Sequence, residues 1–161
     1  MDTQLGTIEQ ENSSINHKIR SVTVRDVSPK TFLPSLAQYL QESGKVNYEK
    51  LLPKISKSAC NINKDYLLAL QKWYYDVAAS TLLQIYLHPC FQISYQKARG
   101  GSQASKLSNA QSIARATCLK ELMEVGWIVK DRTGIILVSE EGIEKMDSIS
   151  SQILQGNTKE I

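Results

Sequence analysis

Apolar positions recur at helix spacing along most of this chain, most clearly over Tyr66–Leu87. Leu67, Leu70, Tyr74, Val77, Ala78, Thr81, Leu82, Ile85 and Tyr86 follow one another at three- and four-residue steps, with no proline or glycine between them. Trp73, Tyr75 and Leu83 fall outside that stripe, so more than one side of the helix is expected to be covered. Lys72, Asp76 and the interspersed Gln and Ser residues mark a domain core in preference to a membrane span. Upstream, Phe32, Leu33, Leu36, Ala37 and Leu40 form a shorter stripe that stops at Ser43-Gly44. Pro34 is comfortable only in a first turn, which favours Thr31 over Ser28 as the cap. Residues 47–57 read as a short helix broken near Pro53, and Asn63 as the cap of the long helix, which His88-Pro89 closes.

Residues 88–107 show no helical stripe. Ser108 or Asn109 then caps a helix reaching about Val125, with Ala110, Ile113, Ala114, Thr117, Cys118, Leu122 and Val125 inward and Gly126 as its stop. Gln111, Ser112, Arg115 and Lys120 lie elsewhere on its surface. Trp127–Lys130 and Ile135–Val138, around the turn 131–134, read as a β-hairpin. Ser139 caps a last helix with Glu140 and Glu141 in its first turn and Ile143, Met146, Ile149, Ile153 and Leu154 on its apolar side. Residues 1–20 lack periodicity and are expected to be a disordered extension; 21–155 form the domain, and 156–161 a flexible tail. Helices followed by helix, hairpin and helix predict a mainly α, winged-helix-like domain with a small β-hairpin wing.

Composition adds limits. A body of about 130 residues can bury roughly two thirds of its chain surface without staples. Cys60, Cys90 and Cys118 are an odd number at wide spacing, so neither disulfides nor a metal site is expected, nor any cofactor. The polar, slightly acidic opening is no secretory signal, and a reducing cytosol or nucleus is the expected home. The net charge of +3 hides a gradient: residues 1–17 hold three acids and no Lys or Arg, residues 18–120 fifteen Lys or Arg against five acids, and residues 121–161 four against eight. A basic middle with acidic ends suits a polyanion partner.

The candidate chemistry is sparse. Lys50, Lys54 and Lys57 at helical spacing are either a solvated edge or a polyanion contact. Lys97, Arg99 and Lys106, with Tyr95 and the pair Gly100-Gly101, suit a loop lying against phosphates or a plain mobile loop. Trp73 is either core or an exposed platform, and Arg115 either a phosphate contact or the partner of an acid such as Glu121. No GxSxG, GxxxxGK or GxGxxG run occurs, and the only histidines are His17 and His88, so an enzyme, or a small-molecule substrate, is not expected.

Four runs resemble one family in its order: Val22–Val27 with Ser43-Gly44-Lys45; Trp73–Thr81 with Tyr86-Leu87; Ser112–Arg115; and Lys130-Asp131 with Gly134, Gly142, Met146-Asp147 and Ile149. They resemble the small-subunit ribosomal protein family S-nineteen-e of eukaryotes and archaea, over about residues 21–154. The resemblance implies a structural, non-enzymatic constituent of the small subunit head. Such a protein holds rRNA, adjoins other head proteins, supports late pre-rRNA maturation, works in the cytoplasm and assembles in the nucleolus. It implies rRNA contacts at Lys97, Arg99, Gly100, Gly101, Lys106 and Arg115, then Lys72 with the Lys50, Lys54, Lys57 edge and Trp73. The chain departs from the family where Val77, Leu83 and His88 replace arginines thought to meet rRNA, and its second helix lacks the family tryptophan. It reads as a divergent, charge-poor member, or a paralogue whose RNA grip has weakened. The rival readings are a winged-helix DNA-binding regulator and a protein-interaction module.

Overall fold

The computed structural model describes residues 21–55, 64–89 and 104–158. The chain enters through a 3-10 turn at Val24–Asp26, closed by Asp26, whose carboxylate accepts from the Thr23 amide and hydroxyl at 2.9 and 3.0 Å. Helix α1 follows over Pro29–Ser43. Its cap is Ser28, not Thr31, because Pro29 occupies the first helical position with φ already suited to it. Thr31 is inside the helix, donating its hydroxyl to the Ser28 carbonyl at 2.9 Å. Pro34 is therefore an interior proline; it is exposed, and the helix continues past its missing N–H.

Residues 47–57 are split as expected, though at Leu51. A 3-10 turn at Tyr48–Lys50, capped by the Asn47 side chain on the Glu49 amide (2.9 Å), precedes the short helix α2 at Leu52–Ile55. Pro53 is its second residue, where no intrahelical N–H is required. The cap expected at Asn63 lies outside the described residues.

Helix α3, Lys64–Leu87, is the axis of the domain. Tyr74, Tyr75, Val77, Ala78, Ala79, Thr81, Leu82, Leu83 and Ile85 are all buried, which covers more than one face from Tyr74 onward. The amino-terminal turns differ: Leu67 and Leu70 are only half-buried, and Tyr66 and Leu68 remain 52% and 65% exposed. Helix α4 spans Ala104–Val125 and so starts earlier than Ser108 or Asn109, which lie within it. An apolar stripe is not needed to extend a helix already nucleated; backbone bonds suffice where no proline or glycine intervenes. Gly126, at φ 88°, ends it in the left-handed region that glycine tolerates best.

Strands β1, Ile128–Lys130, and β2, Ile136–Val138, pair antiparallel with Ile128 opposite Val138 and Lys130 opposite Ile136. The last helix, α5, runs Glu140–Thr158, past the expected start of the tail at 156. The Ser139 hydroxyl caps it by accepting the Gly142 amide at 3.2 Å. Helix α3 packs against α1 on one side and α4 and β2 on others, while α5 closes over α1. Phe32, Leu36, Leu40, Tyr74, Leu82, Cys118, Leu122, Trp127 and Met146 fill the space between them. The architecture is mainly α and winged-helix-like, with β1–β2 as the wing.

Candidate nucleic-acid interface

The most connected polar group is one the sequence hides. Glu121 on α4 is 3% exposed, and its carboxylate accepts from the Tyr74 hydroxyl of α3 at 2.8 Å and from the Asn47 amide at 3.2 Å. Lys50 completes the site, its Nζ 3.3 Å from Glu121 and 3.4 Å from Glu124. The bond to Glu121, then its charge, raises the Lys50 pKa above its ordinary value. One turn earlier on α4, Thr117 accepts from Lys54 Nζ at 2.9 Å. Lys50 and Lys54 thus bind the segment between α1 and α3 down onto α4. The signal was present: Glu121 continues the inward spacing of Ala114 and Cys118.

A second carboxylate works the same way near the carboxy-terminal end of α3. Asp147 of α5 accepts from the Tyr86 hydroxyl at 3.1 Å and the Val24 amide at 3.2 Å. Burial and that carboxylate raise the Tyr86 pKa.

Arg115 makes neither an ion pair with Glu121 nor a surface display. Glu121 is taken by Tyr74, Asn47 and Lys50, while Arg115 is half-buried with its Nε enclosed and without a hydrogen-bond partner. Burial lowers its pKa, yet a guanidinium keeps its proton. Trp127 Nε1 is the other enclosed donor without a partner among the described residues. Its ring stacks on Tyr39 at 5.9 Å and carries Lys45 Nζ 5.1 Å from its centroid.

Lys72 is exposed at the rim of a groove between α1 and α3 that also takes in Ala37, Gln41, Leu68 and Asp76. Trp73 is half-buried against the core. Lys106 lies in the first turn of α4. Lys57, Lys97, Arg99, Gly100 and Gly101 lie outside the described residues. Val77 and Leu83 are buried, so a cation at either would be desolvated; His88 is exposed. Among the described residues no group of three or more His, Cys, Asp or Glu is placed to hold a metal, and no helix is long and apolar enough to cross a membrane.

A two-stranded wing behind a helical core, with cations on loops and helix edges and no assembled catalytic group among the described residues, defines a winged-helix-like scaffold. The chain belongs to the Ribosomal protein S19e family, whose sequence profile matches residues 23–156. It is 28% identical over 140 residues to the small ribosomal subunit protein eS19 of Candida albicans, covering 83% of this chain and 95% of that one. It is 25% identical over 138 residues to the protein of the same name from Argopecten irradians, covering 82% and 94%. Such identities make it a divergent member.

Proposed function

We propose that this chain is a structural constituent of the small ribosomal subunit, seated in its head, where it holds rRNA and supports late pre-rRNA maturation. It acts by scaffolding and performs no reaction. The family match across nearly the whole domain carries this reading. Arg115 supports the RNA part as a partly exposed cation of α4 that forms no ion pair with Glu121, which leaves the accessible part of its guanidinium for a phosphate oxygen. Lys72, Lys106 and the 88–107 stretch, with Lys97, Arg99, Gly100 and Gly101, add phosphate neutralisation, and Trp73 a surface for a base or a neighbouring head protein. Lys50 and Lys54 contribute only what their bonds to α4 leave free. The work is done on the cytosolic subunit, after assembly in the nucleolus. Duplex DNA reading is disfavoured because the exposed part of α4 sets Lys120 beside Glu124.

The test is sedimentation of the tagged protein from lysate at moderate and then high salt. Co-migration with the small subunit through the high-salt wash is expected. Protein left at the top of the gradient at both salts would overturn the proposal.

A further inference from the structure

We propose that the wing tip is a separate phosphate contact, made by Lys130 and Arg132; the inference rests on the rRNA-binding reading above. From the sequence this turn looks self-neutralised, since Asp131 stands between the two cations. In the fold the three side chains are employed differently. Asp131 turns its carboxylate onto its own loop, accepting from the Arg132 amide at 2.6 Å and from the Thr133 hydroxyl at 3.3 Å. Its backbone is also committed, its amide to the Ile135 carbonyl at 2.8 Å and its carbonyl to the Gly134 amide at 2.9 Å. The acid therefore builds the turn and keeps its charge there, but among the described residues it forms no ion pair with Lys130 or Arg132, so the two long side chains remain for solvent or a ligand.

Geometry favours the same assignment. All six residues Val129–Gly134 are exposed, so the tip projects from the body. The Lys130 stem lies along the turn, its Cε 3.8 Å from where a Cβ at Gly134 would sit. Glu140 and Glu141 begin α5 at the base of the hairpin, beside the bond from the Ser139 amide to the Trp127 carbonyl at 2.8 Å. Three strand residues put that base roughly 10 Å from the tip, about one screening length at physiological salt. The acids at the base thus do little to cancel the cations at the tip. Two cations on a rigid, projecting turn fit the sugar–phosphate backbone of a folded RNA, which is recognised by shape and phosphate position.

The experiment measures binding of the full chain to an in vitro transcript of its own small-subunit rRNA across a salt series. Wild type is compared with the double variant Lys130→Gln/Arg132→Gln and with the charge-preserving Lys130→Arg/Arg132→Lys. Each lost phosphate contact should reduce the slope of log K against log salt by about 0.7–0.9, so the first pair should lower it by roughly 1.4–1.8 and the second leave it intact. Thermal melting of both variants should match wild type, because neither cation's side chain makes a hydrogen bond or ion pair among the described residues. An unchanged slope in the glutamine variant, with wild type binding normally, would overturn the wing contact and leave the ribosomal reading standing. Failure of wild type to bind even at low salt would overturn both.

Discussion

Arg115 and Glu121 sit on one helix and face opposite energetic situations. Glu121 is a buried charge with three donors, so each donor matters. Tyr74→Phe removes one hydrogen bond to a buried carboxylate and should cost about 1.5–3 kcal/mol. At this size the melting temperature should fall by roughly 3–10 °C, read by circular dichroism. Arg115 is a partly desolvated cation whose Nε has no partner among the described residues, so Arg115→Gln should leave the isolated protein as stable as before, or slightly more so. The same change should weaken rRNA binding and reduce its salt slope by about 1. A loss of more than about 1 kcal/mol in the free protein would assign Arg115 a purely structural role. Cys118 is buried, and burial pushes its thiol up to about 12. It should resist iodoacetamide at pH 8 in the native protein and react fully in denaturant, as peptide mapping would show.

At the scale of elements, the wing and the last helix meet at Gly142. A Cβ there would lie 2.7 Å from Val138 Cγ1 and 2.9 Å from the Trp127 carbonyl oxygen, the latter part of the backbone. Gly142→Ala should therefore force α5 away from the hairpin at a cost of about 1–3 kcal/mol, with a change in near-ultraviolet dichroism as Trp127 repacks. Much of this level is readable in the sequence. The periodicity of Tyr74–Leu87, the glycine stops at 44 and 126 and the paired runs around 131–134 each have a direct physical cause, and the folded elements follow them. The misreadings share a cause as well. Thr31 was favoured over Ser28 because a proline at position 34 looked intolerable, yet an exposed helix absorbs one absent donor. The start of α4 is hidden in the sequence because its first turn has no apolar stripe to display. The site was less legible. Lys50 and Lys54 look like a free basic edge until α4 is folded against them, and Glu121 looks like a surface acid until Tyr74, 47 residues earlier, reaches it. Long-range pairing has no local signature.

For the molecule as a whole, α3 is tied at its middle and near its carboxy-terminal end by the same device: a tyrosine hydroxyl and the backbone amide of another segment share one carboxylate, Glu121 at Tyr74 and Asp147 at Tyr86. Burial is the main cause that raises Tyr74 far above its ordinary 10.0 and lifts Tyr75 and Tyr86 with it, as it does the Cys118 thiol above 9.0. With raised folded values the native state holds more protons than the unfolded chain in alkali. The stability these groups contribute is complete below about pH 9 and is lost as pH rises toward 12 and beyond. Chemical denaturation at stepped pH should show that decline, and the slope should flatten in a Tyr74→Phe/Tyr86→Phe variant. The tie at Val24 also constrains the order in which the protein can be finished. The amide of residue 24 is made before its acceptor, which is 123 residues further along. Until α5 has emerged, the turn at Val24–Asp26 has only its local Asp26 bonds and lacks its long-range acceptor, so a nascent chain stalled in the wing holds that turn less firmly. Among the described elements, the helix synthesised latest, α5, is the one that seals the turn at Val24–Asp26.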